Sequence, residues 1–213
     1  MVKRYAVWPT VSRDIKDFIR NCDVCDQERE PNPANRTPRI PIEAQNVWDH
    51  VICDLISLPT GSLGFHYVLV FIDVFSGYVK LFKLKDKNTI GVCRAFEDLT
   101  CTIGAPRPLT SDNGGEFESA MLKEMCQIKG AAKRTSVAYR PQSQGPVERF
   151  NRTLIKDLKK RLIQYGHSWV THLPYVEWSY NNTPRYNSKM TPYFLMFGRE
   201  AILLVRALTI IDG

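Results

Sequence analysis

Apolar and polar residues change rhythm twice along the chain. Up to about residue 30 the spacing is helical: in SRDIKDFIRNCDVC, Ile15, Phe18, Ile19 and Cys22 recur at intervals of three and four, which predicts a short amphipathic helix. Residues 31 to 41, PNPANRTPRIP, carry four prolines and read as an extended linker. From residue 42 onward strand and helix patterns alternate. VWDHVICDLISL is a first strand, and YVLVFIDVF a second, whose nearly continuous apolar run implies burial on both faces. After Ser76 and Gly77, YVKLFKLK alternates and predicts a half-exposed third strand. Val92, Ala95, Phe96 and Leu99 mark one face of a helix capped by Asn88 or Thr89. RPLTSD is the fourth strand, ESAMLKEMCQIKG the next helix and AKRTSVAYR the fifth strand. GPVERFNRTLIKDLKKRLIQYG gives a long helix with Val147, Phe150, Leu154, Leu158 and Leu162 on its core side. SWVTHLPYVEWSYNN reads as a further helix interrupted near Pro174. Three hairpin-like strands followed by alternating helices and strands predict an α/β fold, one mixed five-stranded sheet flanked by helices and preceded by a short helical segment.

Composition narrows the classes. No apolar run in the 213 residues approaches the roughly 20 that a membrane-spanning helix needs. The start, MVKRYAVWPTVSRDIKDF, lacks the apolar core and small-residue cleavage site of a signal peptide. Of six cysteines, Cys53, Cys93, Cys101 and Cys126 lie inside apolar segments, where a free thiol acts as a small hydrophobe; a reduced, intracellular protein is expected. The formal charge of +7 fits a polyanionic partner without requiring one.

Candidate chemistry centres on carboxylates. In TSDNGGEF, Asp112 and Asn113 precede two glycines. Such a stretch is turn chemistry, since Asn and Gly accept positive φ cheaply; it is equally a strand end that holds a metal. Asp54, in VICDLISLP, also ends a strand, and Glu148 opens the long helix with thirty-five residues between it and Asp112. Mg²⁺ and Mn²⁺ take oxygen ligands, and two such ions roughly 3.5–4 Å apart can serve phosphodiester displacement. Each acid has a plain alternative: Asp54 a strand-end aspartate, Glu148 a helix-start acid favoured by the macrodipole. Asp73, in FIDVFSG, takes the turn-forming reading. Along the long helix, Arg152, Lys156 and Lys159 follow Glu148 at steps of three to four, and residues 133 to 161 hold nine Lys or Arg against two acids. That face is read as a phosphate contact, with a solvated face as the alternative.

DLISLP, FIDVFSGYVKLFKLKDKNT, TSDNGGEF, AYRPQSQGPVERFNRTL and YNNTPRYNSKMTPYFLMFGR together resemble the integrases of retroviruses and gypsy-class LTR retrotransposons, over essentially the whole chain. The tail from NNTP to TPYFLMFGR is more similar to the gypsy-type enzymes. The resemblance implies an RNase H-like core in residues 42–213, with Asp54, Asp112 and Glu148 binding two Mg²⁺ or Mn²⁺ ions. It implies 3′-end processing of element DNA by water and then strand transfer into target double-stranded DNA, in the nucleus. Asn113, and Tyr139 and Gln144 in the loop before the long helix, join Arg152, Lys156 and Lys159 as expected DNA contacts. Residues 1–30 look like the end of a His-His-Cys-Cys zinc domain, with Cys22 and Cys25 as its cysteine pair. No histidine precedes Cys22, so zinc is expected only if a longer chain supplied the missing ligands. The sequence is accordingly expected to be a fragment, a truncated product or a host-retained relic of a larger enzyme. A homodimer or higher oligomer is implied by the family, with Trp169, Trp178 and Tyr180 as candidate apolar surface or as simple core. The rivals to a strand-transfer enzyme are a relic that binds DNA or protein without catalysis, and a metal-dependent nuclease.

Overall fold

Two apolar clusters lie on opposite faces of one sheet. The computed structural model describes residues 7–22, 44–136, 145–186 and 188–202. Strands β1 (Val51–Ser57), β2 (Tyr67–Asp73) and β3 (Val79–Leu84) form an antiparallel meander, with a 3-10 turn at Ser62–Gly64 in the first connection. Helix α2 (Thr89–Thr102) then carries the chain back to β4 (Pro108–Ser111), and α3 (Ala120–Ile128) to β5 (Ala132–Thr135). Both of these strands run parallel to their neighbours, and the sheet order is β3-β2-β1-β4-β5. Helices α4 (Gly145–Tyr165), α5 (Trp169–Asn181) and α6 (Pro192–Phe197) follow. The mixed five-stranded sheet flanked by helices is the expected architecture.

Alternation along each strand divides the core. Ile52, Ile56, Val68, Val70 and Ile72 face α4 and α5, whose Val147, Phe150, Leu154, Leu158, Leu173 and Val176 complete that cluster. Val51, Cys53, Leu69 and Phe71 face α2 and α3. Because β2 is covered on both sides, it reads as an unbroken apolar run. Side chains fix the helix starts: Asn88 accepts from Gly91 N at 2.8 Å, Ser119 from Leu122 N at 3.2 Å and Thr191 from Phe194 N at 2.9 Å.

Several expectations are corrected. Helix α5 is continuous through Pro174, which is exposed. Proline removes one i→i−4 bond, and packing of Trp169, Leu173 and Val176 on either side of it holds the helix together. Asp54 lies inside β1, which runs on to Ser57. Cys101 is exposed, whereas Cys53, Cys93 and Cys126 are buried. At the start of the chain α1 spans Val11–Arg20, and its Phe18 and Ile19 face solvent among the described residues. The linker 31–41, Cys25, Tyr139 and Gln144 lie outside the described residues.

The edge strand β3 is closed by α5. Asn181 accepts from Val79 N and donates to Val79 O, both at 2.9 Å, and Glu177 accepts from Leu81 N at 2.8 Å and from Lys80 Nζ at 2.9 Å. One helix face thus satisfies backbone groups that an edge strand leaves open. At the β2–β3 turn the Asp73 carboxylate accepts from Ser76 N, Ser76 Oγ and Trp48 N, the turn role assigned to it. Gly77 there has φ +68°, which favours glycine, and a Cβ would stand 1.9 Å from Arg185 Nη2 and displace that guanidinium.

Candidate active site

The sheet brings Asp54 and Asp112 together by register. In the parallel pair β1/β4, Val51 stands opposite Leu109 and Ile52 opposite Thr110. Carried two residues further, the same offset sets Asp54 opposite Asp112, one residue past the end of β4. Asp54 shares its face with Ile52 and Ile56, and that face packs on α4. His50 and Thr110 confirm the parity, since their side chains meet at 2.9 Å on this side of the sheet. Glu148 stands in the first turn of α4, between the buried Val147 and Phe150, so the helix start lies over the two strands.

Each acid has a distinct support. Asp54 is half-buried; Asn151 Nδ2 donates to its Oδ2 at 2.7 Å, and Leu55 N to its Oδ1 at 2.9 Å. Burial pushes its carboxyl above the usual carboxylate range; the two hydrogen bonds oppose the rise, and the negative charges of Asp112 and Glu148 add to it. The charges of both other carboxylates are therefore felt at Asp54. Asp112 Oδ1 accepts from Gly114 N at 3.0 Å, the Asx turn that DNGG favours. Behind it Ser111 Oγ donates to Asp112 O at 2.9 Å, and Lys133 Nζ, on a side chain only 5% exposed, donates to Ser111 Oγ at 2.6 Å. The rest of the loop is anchored inward. Phe117 is fully buried in the α2/α3 cluster, and buried Glu116 pairs with Lys87 at 3.2 Å. A Cβ on Gly114 would meet the Glu116 carboxyl at 2.9 Å. Turn chemistry and an aimed carboxylate are thus two aspects of one loop.

Among the described residues, no group of three or more His, Cys, Asp or Glu side chains lies in metal-holding geometry. Asp54 Oδ2 is turned to Asn151 and Asp112 Oδ1 to Gly114. The donor set nevertheless fits a hard divalent cation: three carboxylates, oxygen donors only, with Asp54 disfavoured as an anion. A further sign is Asn151 Oδ1, buried beside Asp54 with no hydrogen-bond partner; an orphaned acceptor of this kind calls for a donor such as a cation's water.

Of the other expected contacts, Asn113, Arg152 and Lys159 are exposed and Lys156 is half-buried. Lys159 lines a cavity of about 650 Å³ together with Leu58, Ile155, Leu162 and Trp169. Cys22 is half-buried just past the end of α1. Trp169 is buried, which favours its core reading, while Trp178 is exposed. Sequence reading passed over Asn151 and Lys133. Asn151 was within reach of it, since an i+3 step from Glu148 stays on one helix face. Lys133 was not, because a basic residue on a short strand gives no sign of burial.

Known proteins resemble this arrangement. Residues 45–141 match the family described as the integrase core domain. The chain is 32% identical over 197 residues to the Pro-Pol polyprotein of simian foamy virus type 3 (strain LK3), covering 91% of this chain and 17% of the polyprotein. It is 33% identical over 198 residues to the Gag-Pol polyprotein of koala retrovirus, covering 89% of this chain and 11% of that one. It therefore spans a minor part of the polyproteins it matches. Among solved structures, one from the simian T-cell lymphotropic virus intasome in complex with PP2A regulatory subunit B56 gamma gives a TM-score of 0.69 at 20% identity, over 95% of this chain and 71% of that one. The HTLV-2 integrase catalytic core domain in complex with magnesium, in its trimeric form, gives 0.63 at 20% identity, over 72% of this chain and 99% of that one. The fold is accordingly that of the retroviral integrase cores, RNase H-like.

Proposed function

We propose, from the match of residues 45–141 to the integrase core domain and the similarity to retroviral polyproteins, that this chain is the core of a divalent-metal-dependent DNA-strand-transfer enzyme. Asp54, Asp112 and Glu148 hold two Mg²⁺ or Mn²⁺ ions. The observation that carries this is the β1/β4 register that sets Asp54 opposite Asp112, with the Glu148 charge felt at Asp54. When bound, the ions would polarise the attacking water or 3′ hydroxyl and stabilise the leaving oxygen. The chain's own residues do the rest. Asn151 orients Asp54, and the Ser111–Lys133 pair braces the Asp112 peptide. The glycines beside Asp112 admit a close backbone. Arg152, Lys156 and Lys159, with Asn113, Tyr139 and Gln144, hold the phosphates and positions of double-stranded DNA.

The finer features extend the same reading. A gypsy-type element is the proposed origin and the nucleus the proposed place of action. The working form is a dimer or higher oligomer, in keeping with the trimeric core among its structural relatives. Cys22 and Cys25 bind zinc only with histidines from a longer chain. The described structure also lends one observation to the non-catalytic alternative: no three-ligand group stands ready for a metal.

Calorimetric titration of Mn²⁺ into the chain and into Asp112→Asn separates the readings. Binding in the parent that is lost in the variant is expected; equal titrations would remove the metal site. Joining of a pre-processed 3′ end to a target duplex under Mn²⁺, absent in Asp112→Asn, then distinguishes strand transfer from nuclease action, which yields cut strands alone. Metal binding with neither product would favour the non-catalytic relic.

A further inference from the structure

Two buried side-chain polar atoms among the described residues lack a hydrogen-bond partner, Asn151 Oδ1 and Arg185 Nε. The first belongs to the carboxylate site; the second does not. Arg185 donates from Nη2 to Gly77 O and to the Tyr180 hydroxyl, both at 2.8 Å, and its guanidinium lies 5.2 Å from the Tyr180 ring centroid. These contacts lock the group in place while its Nε donor goes unused. A buried donor left unmet is costly, so this fixed arginine points to a missing acceptor.

Arg185 walls a cavity of about 340 Å³ between the β2–β3 turn and the flank of α4. Arg149 supplies a second guanidinium to the same wall, and Phe75, 44% exposed, a ring at its rim. Among the described residues no acid lies within ion-pair distance of Arg149 or Arg185. Among the described residues the only acid in the wall, Asp73, is fully buried, and its oxygens are taken up by Ser76 and Trp48. The cavity is therefore cationic and of small-ligand size, and the planar guanidinium groups of the two arginines that line it are of a kind suited to phosphate. On α4 its lining residues Pro146, Arg149 and Thr153 fall about 100–160° around the helix from Glu148 at 3.6 residues per turn, on the flank away from Asn151.

We propose that this cavity is a phosphate site, separate from the carboxylate cluster, in which Arg149 and Arg185 hold one phosphate group as the strand passes the start of α4. The assignment of that phosphate to nucleic acid rests on the DNA-binding reading above; the phosphate chemistry does not. A free phosphate would present the same oxygens.

The test uses the whole chain, Arg149→Ala and Arg149→Lys. Arg149 is exposed, so these variants leave Arg185 and the turn intact. Binding of a labelled duplex is followed by fluorescence anisotropy across a salt series. Thermal unfolding is followed with inorganic phosphate against sodium chloride at equal ionic strength. Several-fold weaker duplex binding in Arg149→Ala, with a salt slope shallower by about one that Arg149→Lys restores, is the expected result. A phosphate-dependent rise in Tm that Arg149→Ala abolishes, beside an unchanged duplex slope, would assign the cavity to free phosphate and overturn the nucleic-acid occupant. If the parent chain fails to bind duplex at all, the DNA-binding reading fails, and the phosphate arm alone decides the cavity. No change in either arm would overturn the site. Mn²⁺ titration should be the same in Arg149→Ala and the parent, since the two sites share no residue.

Discussion

Asp54 carries its charge where charge is disfavoured. Burial and two neighbouring carboxylates hold its carboxyl above the ordinary range, so the folded chain keeps this proton to higher pH than the unfolded chain, whose aspartates titrate near 3.9. Between the two values the native state binds more protons, and stability falls as pH rises. Asp54→Asn removes that loss. In metal-free urea unfolding at about pH 4 and about pH 7, the variant should show a smaller decline than the parent, and at neutral pH should be the more stable of the two. Asp73, raised by burial as well, contributes to both proteins and cancels in the comparison. An equal decline would mean that Asp54 is an ordinary solvated acid. Saturating Mn²⁺ should steepen the contrast the other way, since a bound cation favours the carboxylate. The same residue shows the reach of sequence reading: its identity as a ligand candidate was legible, but its place inside β1 and its bond to Asn151 were set by contacts ninety-seven positions apart.

At the scale of elements, α5 holds the far edge of the sheet. Its Asn181 is 3% exposed and spans both the N–H and the C=O of Val79. Asn181→Ala would leave two buried backbone groups unmet, at about 2–3 kcal/mol. Chemical denaturation should show a lower midpoint at an unchanged slope, with faster hydrogen exchange in β3. A loss below about 0.5 kcal/mol would mean that water replaces the side chain. The pattern of α5 was misread at Pro174 because local rules weigh the lost hydrogen bond and take no account of packing on both sides. The strands fared better. β2 was legible as a buried strand because both faces are covered, and α4 because its apolar residues recur at helical spacing over a long stretch.

For the whole molecule, the proposed metal site predicts a link between metal and fold. The proposed site would draw its ligands from β1, from the end of β4 and from the start of α4, so an ion bound there would tie together elements that are separate in the unfolded chain. Binding to the native state alone stabilises it by RT ln(1 + [L]/Kd), about 2.7 kcal/mol at a hundredfold excess over Kd. Mn²⁺ should therefore raise the Tm of the parent chain in a concentration-dependent way, measurable by scanning calorimetry, and leave Asp112→Asn nearly unmoved. A shift of the same size in both would locate the ion elsewhere.

What the sequence determined by itself was local or periodic. The helix and strand rhythms, the capping residue Asn88, the turn at Asp73 and the chemical identity of three candidate carboxylates all depend on near neighbours or on residue type. Tertiary structure decided what depends on distant partners. The parallel register of β1 and β4 placed Asp54 opposite Asp112. The packing of α4 on one sheet face brought Glu148 and Asn151 to them. The meeting of Arg149 with Arg185, thirty-six residues apart, made a cationic cavity that neither residue announces. The reason is physical: a side chain's rotamer and secondary structure are fixed largely by its own neighbourhood, whereas burial, charge coupling and unmet hydrogen bonds exist only once the chain has folded.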